Sequence, residues 1–183
     1  QLATIQVAQS VGYEDAGRTD GNSSTPNNTI DNPSAGIPFN IKVSSDDKDG
    51  SETFNVKIED IPNGSSLYVF DKSLNGGIGD WVLVDKDFVS SGNITVTQSA
   101  GKYEVVIKDY QNDKLSKFIP AHNDDTDYTF KVSSQTVDTS TTTVTGDYGT
   151  SKDLSVIVKN IADVAISNEL KTDITANEDS QIN

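Results

Sequence analysis

The sequence has no cysteine, no methionine and a single histidine. Without cysteine, neither a disulfide framework nor a thiolate metal site can form, and one histidine leaves little scope for an imidazole zinc site. No apolar run approaches the roughly 18 residues of a transmembrane helix, and no signal-peptide pattern is present. Because methionine is absent, we expect the sequence to be a piece of a longer chain.

Basic side chains are also scarce, with 14 Lys and Arg against 28 Asp and Glu and a formal net charge of −14. Such a surface repels phosphates and anionic lipid head groups, so we predict no nucleic-acid partner and no direct membrane insertion. Carboxylates in this excess favour bound cations, because an opposite charge is needed to hold several of them close together.

Catalytic motifs are missing as well. His122 is the only imidazole base, it lies in a predicted loop, and the chain has neither a GxSxG motif nor a cysteine nucleophile. Paired carboxylates of the kind that hydrolyse glycosides arise by chance among so many acids, and a single Trp does not suggest an aromatic-lined groove. We therefore predict that the protein is not an enzyme.

What the sequence does have is alternation of apolar and polar residues, which is typical of half-buried strands. The alternation recurs in six segments, which are separated by Gly, Asn and Asp turn signals: 39–43, 54–58, 94–96, 103–107, 128–132 and 154–158. No longer segment shows a helical apolar stripe. The pattern predicts an all-β fold, namely an antiparallel two-sheet β-sandwich of the immunoglobulin or cadherin kind with long loops.

Two stretches break the alternation. Residues 16–36, rich in Gly, Asn, Ser and Pro, should form a long loop, and residues 134–152 either a polar edge strand or a long connection.

Glu14-Asp15 and Glu178-Asp179 each follow a linker-like segment, as in a tandem repeat cut near its boundaries. We therefore predict three parts: a linker from a preceding repeat at 1–12, the sandwich at 13–163 and a linker into the next repeat at 164–183.

Three groups of carboxylates are candidate calcium sites, since calcium takes about six to eight oxygen ligands in irregular geometries. The first group lies in the segment DDKDGSE and consists of Asp46, Asp47, Asp49 and Glu52; its spacing is not that of an EF-hand. The second is Asp125 and Asp127 at a predicted strand start. The third lies at the expected repeat junctions: Glu14, Asp15, Asp163, Glu178 and Asp179. The alternatives are a solvated acidic turn, or for the third group an N-cap or solvated pair.

The glycine-rich segment 75–81 holds the only Trp. It does not match the GGxGxD calcium repeat, because Asp80 comes one residue early in a single copy, and it lacks the GxxxxGK[ST] pattern of a phosphate loop. One interpretation is a hairpin turn with Trp81 entering the core. The other is a ligand-binding loop that uses Asp71, Asn75, Gly77, Asp80 and Trp81.

Several motifs follow one another in a fixed order: DxDGSE at 47–52, IxxxPxG at 58–64, a proline-led DxD strand entry at 120–127 and an Ala-Asp to Glu-Asp junction at 162–179. This order resembles the repeats of the very large RTX-type adhesins of Gram-negative bacteria. The junction departs from the family, because Val164-Ala165 stands where Ala-Pro is usual.

The resemblance implies an extracellular, calcium-loaded β-sandwich in a fibre on the bacterial cell surface, in contact with neighbouring repeats of the same chain. It assigns several Ca²⁺ ions to the following carboxylates: Glu14, Asp15, Asp47, Asp49, Glu52, Asp125, Asp127, Asp163 and Glu178. Some members of the family carry a sandwich that captures the C-terminus of a target protein. We therefore expect a calcium-dependent adhesin domain, monomeric in isolation, that binds a peptide or protein C-terminus on host or neighbouring cells. The alternatives are a passive calcium-rigidified extender repeat and a carbohydrate-binding module.

Overall fold

The alternating segments form strands, as predicted. The computed structural model describes residues 3–19, 29–47, 49–141, 143–144 and 146–161. Two short 3-10 turns lie at Pro33–Ala35 and Asn75–Gly77. The strands within the described residues are β1 Thr4–Ala8, β2 Ser10–Tyr13, β3 Ile37–Pro38, β4 Asn40–Ser44, β5 Glu52–Pro62, β6 Ser66–Asp71, β7 Asp80–Val84, β8 Ile94–Ser99, β9 Lys102–Ile107, β10 Lys117–Ile119, β11 Tyr128–Asp138, β12 Thr143–Val144 and β13 Lys152–Lys159.

These strands form one large sheet and two smaller ones. The seven-stranded sheet has the order β2-β13-β11-β5-β9-β8, with β12 beside β11, and the four-stranded sheet has the order β3-β10-β6-β7. The strands β1 and β4 pair in a two-stranded sheet. Every pairing is antiparallel except that of β2 with β13, which is parallel. The prediction of an all-β, antiparallel sandwich is therefore confirmed.

Three phenylalanine rings join the layers. Phe130 of the seven-stranded sheet lies 5.0 Å, centroid to centroid, from Phe118 of the four-stranded sheet. Phe39, between β3 and β4, lies 5.0 Å from Phe130 and 5.8 Å from Phe118. All three rings are fully buried, and burial of each side chain contributes about 1.5–3 kcal/mol of transfer free energy. The core thus lies between the inner faces that the alternation predicted.

The N-terminal segment differs from the prediction. We predicted a linker over 1–12, but β1 pairs with β4 and β2 pairs with β13. Ile5 is buried in the common core. Gly12 allows β2 to approach β3, because a Cβ at this position would lie 2.3 Å from Ile37 Cγ1. The alternation of β1 is as long as that of β4, but we interpreted it as part of a linker because it precedes the Glu14-Asp15 pair.

The long loop at 16–36 is closed at its base. Asn32 N–H donates to Gly17 O at 3.1 Å, and Thr19 N–H donates to the Asp31 carboxylate at 2.6 Å. Apart from the 3-10 turn at Pro33–Ala35, the described part of this stretch is irregular, as predicted; residues 20–28 lie outside the described residues.

The first part of the polar stretch at 134–152 forms a strand, which was one of the two predicted alternatives. Strand β11 continues to Asp138 and pairs with β5 over 131–138, while on its other side β13 pairs up to Val132 and β12 at 137–138. Ser134 is buried there, and its carbonyl accepts Gly149 N–H at 3.0 Å. Its buried side chains are polar, so the alternation of apolar and polar residues did not reveal this part of the strand.

Among the described residues, no helix is long and apolar enough to cross a membrane.

Candidate functional site

The turn after β2 is attached to the last residues of β13. Glu14 N–H donates to Lys159 O at 3.0 Å, and Ile161 N–H donates back to Glu14 Oε1 at 2.9 Å. These two hydrogen bonds hold Glu14 and Asp15 where the chain leaves the seven-stranded sheet.

The loop before β11 reaches the same place. Val158 N–H donates to Asp127 Oδ1 at 2.9 Å, and Asn160 Nδ2 lies 3.5 Å from Asp125 Oδ2. We refer to the residues Glu14, Asp15, Asp125 and Asp127 as the exit cluster. Both pairs of carboxylates, which we predicted as separate sites, thus contact the end of β13, one from the side of β2 and the other from the side of β11.

Two acids of the exit cluster are buried. Glu14 is 5% exposed and Asp15 is 8% exposed. Buried carboxylates are costly unless a counter-charge or hydrogen bonds compensate. Asp15 Oδ1 lies 3.2 Å from His122 Nδ1. None of the ion pairs among the described residues involves Glu14.

Arg18 is a permanent cation that interacts with Asp15. Its guanidinium donates to Pro120 O at 2.8 Å. Burial lowers the Arg18 pKa, while the charges of Asp15 and Asp31 act to raise it. Arg18 thus offsets part of the charge of Asp15, whereas the Glu14 carboxylate accepts a backbone N–H.

The loop that carries Asp125 and Asp127 is held by Asp124. This carboxylate accepts hydrogen bonds from Thr126 N–H, at 3.0 Å, and from the Tyr128 hydroxyl. Burial acts to raise the Asp124 pKa, but the hydrogen bonds outweigh it and the pKa is lowered. We did not predict this positioning role. The signal was a hydroxyl residue two positions after an Asp, which is typical of an Asx turn.

The segment between β4 and β5 contains the first predicted group of carboxylates. Asp46, Asp47 and Asp49 are exposed, and Asp49 N–H donates to Asp47 Oδ1 at 3.2 Å. Asp49 Oδ1 accepts the Ser51 hydroxyl at 2.6 Å and Ser51 N–H at 2.9 Å, and these bonds lower the Asp49 pKa. Glu52 Oε2 is buried and has no hydrogen-bond partner among the described residues.

One further acid, Asp138, lies at this site and was not predicted. Asp138 is the cross-strand partner of Glu52, and its charge acts on Asp49. Asp138 Oδ1 accepts the Ser140 hydroxyl at 2.6 Å and Ser140 N–H at 2.8 Å, which lowers the Asp138 pKa. Its Asp-x-Ser spacing repeats that of Asp49 and Ser51, and this was the available signal. We refer to Asp46, Asp47, Asp49, Glu52 and Asp138 as the β5-start cluster.

The two clusters lie at opposite ends of β11. The exit cluster lies beside Tyr128, where β11 begins, and the β5-start cluster lies beside Asp138, where it ends. Eleven residues of extended strand separate them, which corresponds to about 35 Å. In the described part of the chain, no three His, Asp or Glu side chains form a preassembled metal-ligand group. The predicted ligands Asp163, Glu178 and Asp179 lie outside the described residues.

The predicted ligand-binding loop is the tip of the β6–β7 hairpin. Asn75, Gly77 and Asp80 are exposed there, and Asn75 Nδ2 lies 3.3 Å from Asp80 Oδ2. Asp71 is only 1% exposed. Its carboxylate accepts the Ser73 hydroxyl at 2.6 Å and Asn93 N–H at 3.3 Å, so it fastens the hairpin to the segment before β8.

The hairpin interpretation is therefore correct, but Trp81 does not enter the core. It is half-buried and stacks on Tyr68 at 5.1 Å, with the edge of Phe70 at 5.5 Å. Tyr68 and Phe70 alternate with buried Leu67 and Val69 along β6, so all three rings lie on the outer face of the four-stranded sheet. A surface-facing Trp close to exposed polar groups is available to report on a bound ligand.

The chain matches no protein-family model, no curated protein and no solved structure. The resemblance to adhesin repeats therefore depends on the order of the motifs in this sequence.

Proposed function

We propose that the protein is an extracellular, calcium-dependent adhesin domain of a bacterial surface fibre, and that it binds a peptide or protein C-terminus on another cell. The observation that carries the calcium part is the burial of Glu14 and Asp15 next to the end of β13, the strand whose last residues also bond Asp127. A divalent cation would compensate for the charge of such buried carboxylates.

The donor chemistry of both clusters suits calcium. Every acidic donor is a carboxylate oxygen, and Ca²⁺ prefers oxygen ligands without demanding one geometry. Glu52 Oε2 is a buried oxygen that has no hydrogen-bond partner in the described part of the chain, and Glu52 is the cross-strand partner of Asp138, whose charge acts on Asp49. Calcium would be held by Glu14, Asp15, Asp125 and Asp127 at one end, and by Asp47, Asp49, Glu52 and Asp138 at the other.

Calcium bound at these positions would control the stability of the domain. Without cations, the clustered carboxylates repel one another and oppose folding. Extracellular calcium modules have dissociation constants of about 10⁻⁴–10⁻³ M, which suits millimolar calcium outside cells. Each site that binds only the folded state adds about 2.7 kcal/mol at a hundredfold excess of the ion. The domain would then be stable outside the cell and soft where calcium is scarce.

The ligand part of the proposal concerns the β6–β7 hairpin. Its exposed tip presents Asn75, Gly77 and Asp80 beside the half-buried ring of Trp81. A terminal carboxylate can be captured by a cation together with backbone N–H groups, even on an acidic surface. Loops on a rigid sandwich are also where binding sites are commonly placed.

Each of the two alternatives has one observation in its favour. The internal hydrogen bonds of Asp71 favour a passive extender, because they occupy an acid that we predicted to bind a ligand. The rings of Tyr68 and Trp81 on an outer sheet face favour a carbohydrate-binding module, because sugars pack against aromatic side chains.

Calorimetric titration of the metal-stripped protein with CaCl₂ tests the calcium part. The wild-type protein should show saturable binding, and the double variant E14Q/D127N should lose the binding events of the exit cluster. Asp113→Asn is the matched control, since it removes one exposed acid outside both clusters. If wild-type protein binds no calcium, the proposal is wrong.

The fluorescence of Trp81, the only Trp, tests the ligand part in saturating calcium. Peptides with a free C-terminus should change the emission, and the same peptides with an amidated C-terminus should not. A response to oligosaccharides alone would instead support the carbohydrate-binding module. No response to either ligand, with calcium bound, would support the extender.

A further inference from the structure

The chain contains two Asn-Gly dipeptides, Asn63-Gly64 and Asn75-Gly76, and the structure gives them different surroundings. In such a dipeptide, the backbone nitrogen of the glycine can attack the side-chain amide carbon of the asparagine. The absence of a side chain on the glycine removes the main steric obstacle to that attack. Whether the reaction proceeds in a folded protein depends on exposure and on the hydrogen bonds that hold the two groups.

Asn75-Gly76 is open to this attack. Both residues are exposed at the tip of the β6–β7 hairpin. The backbone bonds of the tip run from Gly77 N–H and Gly79 N–H to Leu74 O, and no acceptor among the described residues is bonded to Gly76 N–H. No atom lies within 4 Å of the position that a Cβ of Gly76 would occupy. Water and base can therefore reach both Gly76 N–H and the Asn75 side chain.

Asn63-Gly64 is protected. Asn63 N–H donates to Gly101 O at 3.2 Å, and the side-chain oxygen of Asn63 is buried. Gly64 itself is exposed, and its N–H, like that of Gly76, has no acceptor among the described residues. The two dipeptides therefore differ in the asparagine, whose side chain is partly buried at position 63 and exposed at position 75.

We propose that Asn75 is a site of spontaneous deamidation in the folded protein. A base removes the proton of Gly76 N–H, and this nitrogen forms a bond to Asn75 Cγ. The bond from Cγ to Nδ2 breaks, and Nδ2 leaves as ammonia after taking a proton from water. Water then opens the resulting five-membered imide at either carbonyl carbon, which gives aspartate or isoaspartate at position 75. One water is consumed and one ammonia is released.

The product changes the hairpin tip. The Asn75 amide that lies 3.3 Å from Asp80 Oδ2 is replaced by a carboxylate, so an attractive contact becomes a repulsive one. Asp80 Oδ1 accepts Trp81 N–H at 2.8 Å, and the repulsion therefore acts on a group that positions Trp81. The reaction adds negative charge to the exposed hairpin tip, independently of what the protein binds.

Peptide mapping by mass spectrometry tests the proposal. The full chain is kept at about pH 8.5 and 37 °C in ¹⁸O-labelled water, and deamidation at positions 75 and 63 is followed with time. We expect position 75 to react about tenfold or more faster than position 63 in the folded protein. In concentrated guanidinium chloride, the two rates should become similar, since each Asn precedes a Gly.

Two results would overturn the proposal: equal or faster reaction at position 63 in the folded protein, or a ratio of rates that denaturation leaves unchanged. The variant Asn75→Asp checks the consequence for the tip. It should shift the Trp81 emission, whereas Asn75→Ser, which adds no charge, should not.

Discussion

Glu14 Oε1 accepts the backbone N–H of Ile161 at 2.9 Å, which joins two residues 147 positions apart in the chain. The bond connects the turn after β2 to the segment that leaves β13. Because Asp127 bonds the neighbouring Val158 N–H, an ion bound here would connect three separate parts of the chain. The local stiffness of this end of the sandwich is therefore expected to depend on calcium.

Glu14→Gln should reduce the stabilisation that calcium provides. The amide retains an oxygen that can accept Ile161 N–H but removes one negative charge from the exit cluster. In chelator, the variant should be as stable as wild type or more stable, since a buried charge has been removed. In calcium, its free energy of unfolding should rise by about 1–3 kcal/mol less than that of wild type. Urea unfolding in both conditions measures this, with Asp113→Asn as control; an unchanged gain would contradict the assignment.

Asp138→Asn should weaken calcium binding at the β5-start cluster alone. The exit cluster lies about 35 Å away along β11, several times the Debye length of about 8 Å at physiological ionic strength. The effects of Asp138→Asn and Glu14→Gln on calcium-dependent stability should therefore add. Calorimetry of the two single variants and the double variant measures this. A strong interaction energy between the two sites would show that they are not independent.

Asn112→Ala should expose the edge of β4. The Asn112 side chain accepts Val43 N–H and donates to Val43 O, both at 2.8 Å, in the way that a neighbouring strand would. Loss of this side chain should lower the free energy of unfolding by about 1–3 kcal/mol, because the N–H and the carbonyl of Val43 lose their partners. An open strand edge also favours pairing with a second molecule. Urea unfolding and light scattering test both effects; a fully stable, monomeric variant would contradict this role.

The stability of the protein should fall above about pH 10. Burial raises the pKa of Tyr103 and of Tyr110, whose hydroxyls donate to Ser65 O and Ile41 O. The unfolded tyrosines lose their protons near pH 10, while the folded ones keep them. Their contribution to the free energy of unfolding is thus present below about pH 10. It is lost as the pH rises towards the pKa values of the folded state, by about 1.4 kcal/mol per pH unit for each tyrosine. Urea unfolding of Tyr103→Phe between about pH 9 and 11 should show a smaller slope than wild type, and an equal slope would refute this explanation.

The sequence predicted the parts of the fold in which each strand has one apolar face. The alternation around Phe130 and Val156 identified β11 and β13 correctly. It failed at β1, which we assigned to a linker, and where buried side chains are polar, as at Ser134. Alternation of apolar and polar residues cannot show that a polar side chain is buried.

The candidate sites were predictable to a similar degree. The acids themselves were visible in the sequence, but their grouping depends on strand pairing. Register places Asp138 opposite Glu52, and the parallel pairing of β2 with β13 brings Glu14 to Lys159. Trp81 lies on the outer face because of its register with Phe70, which the hairpin length sets. Spacing along the chain does not reveal such long-range relationships.

Thermal unfolding in chelator and then in calcium tests the central claim most directly. At about 10 mM calcium and a dissociation constant of about 10⁻⁴ M, two sites would add about 5 kcal/mol. At about 2–4 °C per kcal/mol for a chain of this size, the midpoint should rise by about 10–20 °C. Magnesium at the same concentration controls for simple screening and should raise the midpoint much less. An unchanged midpoint in calcium would contradict the account and leave an acidic β-sandwich without a metal role.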